Sequence, residues 1–70
     1  MLPKSVTDKL LELADALDAE TARALANQIL GMIFITIPGF PTIDFSGWNL
    51  LDLQQWGAEV VPSYDWPVQG

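Results

Sequence analysis

Three carboxylates near the N-terminus, Asp8, Glu12 and Asp15, stand at i, i+4 and i+7. On a helix that interval puts them on one face, from which hard oxygen ligands could hold Mg²⁺ or Ca²⁺. The rest of a metal or catalytic kit is missing. The chain has no His and no Cys, which excludes zinc sites built on those ligands and Ser-His-Asp or Cys-His relays. There is no EF-hand loop, and Gly31, Gly39, Gly47 and Gly57 are too scattered to cradle a phosphate. General acid/base work would need a carboxyl with a perturbed pKa in an enclosed pocket. The expectation is a solvated acidic face, no catalytic residue, no metal and no cofactor.

The aromatic residues carry more information. Trp48, Trp56, Tyr64 and Trp66 crowd into the last third of the chain, beside Phe40 and Phe45. Trp and Tyr combine large rigid area with a polar handle and are favoured at interfaces. Trp56 falls on an apolar stripe and is expected to close the core. Trp48, Tyr64 and Trp66 are the expected partner-binding residues. Trp66 has no periodic apolar partner, and a terminal segment is normally frayed unless something anchors it.

Charge narrows the partners. The formal net charge is -6, from nine acids and three bases. After Arg23 the acids Asp44, Asp52, Glu59 and Asp65 face no base in sequence. Nucleic acid and anionic membrane surfaces need a basic patch, so neither is an expected partner. A basic protein surface is compatible, because opposite potentials speed encounter.

These residues must be positioned by a very small scaffold. Seventy residues make one domain, 1–70, and a chain of this size buries only about 60% of its unfolded surface. Half of the residues are hydrophobic, and no disulfide can reinforce them. The expected fold is mainly α. Val6, Leu10, Leu13 and Leu17 recur at helical spacing, predicting a helix over about 6–17, with Ser5 as its N-cap and Asp8 in the acid position of a capping box. The phase then breaks. Asp18 is a good N-cap for a second helix over about 19–36, whose stripe is Ala22, Leu25, Ala26, Ile29 and Ile33. The two would form a hairpin with a corner near Asp18. A short third helix is expected over about 49–57, capped by Ser46 or Asn49, with Leu50, Leu53, Trp56 and Val60 on its apolar face. Residues 62–70 read as an extended tail. The alternative is an α+β fold: Gly31 would end the second helix, and β-branched Ile33–Ile37 would pair with 42–45 in a hairpin at about 32–45.

Ala24 to Ile43 contains no charged residue. Asn27 and Gln28 interrupt it on one side and Pro38 on the other, so the dense apolar part is shorter than a spanning helix needs. Buried core or a self-association face at Ile29, Ile33, Phe34 and Ile37 is favoured over membrane insertion. The functional expectation is a small acidic non-enzymatic interaction protein in the cytoplasm, an inhibitor, regulator or adaptor. It would form a homodimer and bind a larger protein. The alternative is a structural subunit of a large assembly, membrane-associated through residues 24–43.

Overall fold

The first helix begins where a proline allows it. In the computed structural model, which describes residues 2–67, α1 spans Lys4–Ala14, and Pro3 stands at its N-cap with φ -60°. Proline's fixed φ and missing N–H suit the start of a helix. The Pro3 carbonyl accepts from the backbone N–H groups of Val6 and Thr7 at 3.1 Å each. Ser5 therefore lies inside the first turn and cannot cap it. No side chain caps this terminus, and the helix starts two residues earlier than the Ser5 pattern predicts.

The second helix, α2, spans Ala19–Thr36. Asp18 caps it as expected: its carboxylate accepts from the Thr21 N–H at 2.7 Å. That bond, led by the backbone N–H of Thr21 and joined by its hydroxyl, holds the Asp18 carboxyl below its ordinary value of 3.8. Ala22, Ala26, Ile29, Leu30 and Ile33 form the buried stripe. Gly31 sits within the helix, not at its end, and the expected alternative hairpin at 32–45 is absent: no strand occurs among the described residues. The stripe explains this. Leu30 and Ile33, three residues apart, are both buried, while Ile35 is 86% exposed; a strand would put Ile33 and Ile35 on one face and Leu30 on the other. The helix stops where Pro38 begins, in a turn that uses Gly39 at φ 78°.

A segment without regular structure then leads to α3, Leu50–Gln55. Asn49 caps it by accepting from the Asp52 N–H at 2.8 Å. The chain continues as a single π turn over Trp56–Val60 and a 3₁₀ turn over Val61–Ser63. The π turn shifts the apolar phase by one residue. In it, positions five apart share a face, and the Val61 N–H reaches the Trp56 carbonyl. Val61 is therefore 0% exposed and Val60 41%, the reverse of the expected stripe. The expected tail also changes. Pro62 and Ser63 belong to the 3₁₀ turn. Residues 64–67 are irregular, and Trp66 turns inward with 7% exposure. Residues 68–70 of that expected tail lie outside the described residues.

The helices meet in one core. Val6 and Leu13 of α1, the α2 stripe, Phe45, Leu53, Trp56, Val61 and Trp66 form a single buried cluster. One side chain joins its halves. The Gln54 amide donates to the carbonyls of Leu13, Ala14 and Ala16 at 3.1–3.2 Å. Leu13 and Ala14 close the last turn of α1 and Ala16 lies just beyond it, where carbonyls run short of intrahelical donors. Gln54 thus fixes the end of α1 at Ala14, three residues short of the predicted Leu17, and leaves Leu17 exposed at the corner.

Two glycines test this packing in opposite directions. A Cβ on Gly57 would lie 2.5 Å from Leu13 Cδ2, whereas one on Gly31 meets nothing within 4 Å. Gly57→Ala is expected to destabilise the fold by about 1–3 kcal/mol through overpacking. Gly31→Ala is expected to stabilise it by up to about 1 kcal/mol through helix propensity. Urea denaturation of the two variants checks both signs.

Candidate functional site

The irregular segment between α2 and α3 is held by one cation. Arg23, on α2, donates from Nε to the Phe45 carbonyl at 3.1 Å and from Nη2 to the Trp48 carbonyl at 2.8 Å. These carbonyls have no ladder or helix to satisfy them, and a planar guanidinium can meet both at once. The turn is closed by the Trp48 N–H, which bonds the Phe45 carbonyl at 3.1 Å, and Gly47 supplies the φ of 83° it needs. Asp44 accepts from the Ser46 side chain and N–H, which holds its carboxyl below the ordinary value.

So fixed, the segment places two rings against α3. Phe45 is buried and meets Trp48 and Trp56 edge-on, with centroids 5.0 and 4.8 Å away. Trp48 remains half-buried and forms one wall of an open groove of ≈ 510 Å³. Trp56 and Val60 complete the apolar lining, and Asp52, Gln55 and Glu59 supply polar groups. Asp52 and Trp56 share a face at i, i+4 spacing along α3, and the π turn that follows brings Glu59 to the same groove.

Among the described residues the groove's carboxylates have no cationic partner. Among the described residues the ion pairs are Lys4–Asp8 at 2.9 Å and Lys9–Glu12 at 3.3 Å, and Arg23 is engaged by carbonyls. Asp52 and Glu59 accept no hydrogen bond from a side chain of the described residues. A second groove of ≈ 460 Å³ lies at the α1–α2 corner, lined by Glu12, Asp15, Leu17, Asp18, Thr21 and Leu25 among others. The acidic face of α1 forms no metal-holding group: among the described residues no three carboxylates converge. The shifts of Asp18 and Asp44 are downward, opposite to what a general acid near neutral pH requires.

The structure separates the partner-binding residues expected from sequence. Trp48 lines the groove. Tyr64 is half-buried and does not line the groove; its hydroxyl accepts from the Trp56 indole N–H at 3.0 Å and its ring meets Phe40 at 4.8 Å. Trp66 is in the core and donates its indole N–H to the Val61 carbonyl at 2.7 Å. The anchor for the terminal segment is thus supplied by the chain itself. The expected self-association face also divides. Ile29 and Ile33 are buried within the chain and Ile37 is half-buried, while Phe34 and its neighbour Ile35 stand exposed. No helix among the described residues is long and apolar enough to cross a membrane.

Sequence reasoning missed Asp52, Glu59 and Val60 as groove residues. The i, i+4 step from Asp52 to Trp56 was a usable signal. The exposure of Val60 was not, because it depends on the π turn. No protein-family model matches the chain, and no curated protein or solved structure matches it.

Replacing Arg23 with Lys tests what positions the groove. An ammonium cannot reproduce the fork to both carbonyls, and a charge-assisted bond contributes roughly 1.5–3 kcal/mol. Amide exchange at Trp48 is expected to rise at least about ten-fold, with far-UV circular dichroism unchanged. Unaltered exchange at Trp48 would show that Arg23 does not hold the segment.

Proposed function

We propose that this chain is a small acidic, non-enzymatic interaction module, an inhibitor, regulator or adaptor, that docks on a larger protein through the Trp48 groove. The observation that carries the reading is a tryptophan left half-exposed in a chain short of core. Trp48 is held rigidly from behind by Phe45 and stands beside carboxylates with no internal cation. Rigid aromatic walls lose little entropy on binding and dominate interface energetics. A cytoplasmic setting belongs to the same proposal.

The test places a photo-crosslinking residue at Gln55, in the groove, and separately at Gln28, exposed on α2. The Gln55 variant is expected to give one discrete adduct with a larger protein in the cells that make this chain, and the Gln28 variant none. The purified pair should then form a stoichiometric complex. Val60→Asp, at an exposed groove position, should weaken that complex at least about ten-fold. Equal labelling from both positions would sink the proposal.

Self-association is part of the proposal and is assigned to the end of α2. A chain of net charge -6 repels its copies, and the repulsion is least where no charge is present, over 24–43. Within that stretch Ile35 is 86% exposed and adjoins exposed Phe34. Sedimentation velocity is expected to show a dimer for the native chain and a monomer for Ile35→Glu. A native monomer at high micromolar concentration would refute the pairing.

A further inference from the structure

Resting on the docking role of the Trp48 groove, we propose that its occupant is a basic segment of the partner protein. One Lys or Arg side chain of that segment lies along Trp48 and Val60, with its cationic head between Asp52 and Glu59. Four observations converge on this chemistry. The lining of Trp48, Trp56 and Val60 is apolar and suits the aliphatic stem of a long cationic side chain. Trp48, in the wall, is of the aromatic type that attracts a cation most strongly. Asp52 and Glu59 are seven residues apart, about 10 Å along a helical axis, so a cation lodged between them feels both. Among the described residues no side chain supplies that cation: Lys4 and Lys9 are paired on α1, Arg23 is engaged by carbonyls, and the sequence has no Lys or Arg after Arg23.

Charge decides between occupants. An acidic segment would meet both carboxylates and a chain of net charge -6. A wholly apolar segment would cover Asp52 and Glu59 without pairing them, and stripping water from an unpaired carboxylate is costly. A basic segment satisfies floor and rim together, and its approach is speeded by the overall field. The corner groove beside Leu17 fits less well, because Glu12 there already has Lys9 at 3.3 Å.

The probe is an acetylated, amidated Ser-Gly-Leu-Arg-Lys-Leu-Gly-Ser peptide, titrated into the full ¹⁵N-labelled chain. The indole N–H resonances are read. Trp48 should shift saturably. Trp66, whose indole N–H is donated to the Val61 carbonyl, should stay in place as an internal control. A matched peptide with norleucine for Arg and Lys should bind at least about ten-fold more weakly. So should the native peptide to the Asp52→Asn, Glu59→Gln double variant, whose substitutions are exposed and whose unchanged Trp66 resonance reports an intact fold. Equal binding of the norleucine peptide would overturn the proposal. So would an unmoved Trp48 resonance at millimolar peptide. If that failure occurs while the Gln55 adduct still forms, the groove docks a partner that is not basic, and the docking role stands without this inference. If the adduct fails as well, both fall.

Discussion

The two bonds from the Arg23 guanidinium to the Phe45 and Trp48 carbonyls are the constraint on which the rest of the structure turns. Between α2 and α3 the chain runs for more than a dozen residues without a helix or strand to satisfy its backbone. Loops of that length are normally mobile unless something ties them down. Arg23 ties this one at two points, and the consequences are ordered. Phe45 enters the core beneath α2. Trp48 is set against Phe45, and Trp56 is covered from the other side. The same bonds shape the electrostatics. The last cation in the sequence is spent on carbonyl dipoles, so the acids that follow it meet water or a partner but no internal base.

A thin core sets the second constraint. The chain offsets its size with side-chain hydrogen bonds that cross between distant segments. Gln54 closes the last turn of α1 from 38–41 residues away. The Trp56 and Trp66 indoles find Tyr64 and the Val61 carbonyl. No buried side-chain nitrogen or oxygen is left without a partner among the described residues. Each such bond contributes only about 1 kcal/mol net, but in a small domain that is a sizeable share of total stability. The π turn serves the same end. It lets Gly57 touch Leu13 and brings Trp56 and Val61 inward together, so two close-packed contacts are gained from five residues.

What was legible in the sequence was local. The mainly α fold, the hairpin of the first two helices and the caps at Asp18 and Asn49 all follow from signals within about one helical turn. The failures were of a different kind. Ser5 lost to Pro3, a local competition that proline's fixed φ decides. The end of α1 depends on Gln54, and the burial of Trp66 depends on a carbonyl in an irregular turn. Val60 and Val61 exchanged roles because the helix widened, which hydrophobic periodicity at a fixed step cannot register. Ile29 and Ile33 read equally well as interface or core, since both demand an apolar stripe. Only their complete burial in the single core cluster shows that this chain uses them itself. Of the groove, Trp48 was legible as an interface residue by type, and its carboxylates were visible only once the fold set them beside it.

The exposed apolar residues then acquire a pattern. Leu11, Leu17, Leu51, Phe34, Ile35 and Val60 are the large side chains left in water, and singly exposed leucines need no explanation. Val60 differs because it closes the widened turn and lines the groove together with Trp48. Two features that cost the fold something, a π turn and an irregular segment held by a charge, meet at this one place. The segment is held by two carbonyl bonds and Trp48 by its edge-on contact with Phe45. A surface already ordered before binding loses little conformational freedom when a partner arrives. In a domain with so little core, holding a tryptophan rigid yet half-exposed forgoes burial energy that Trp48 could have contributed to folding. The loss is intelligible if that energy is recovered when the groove is filled.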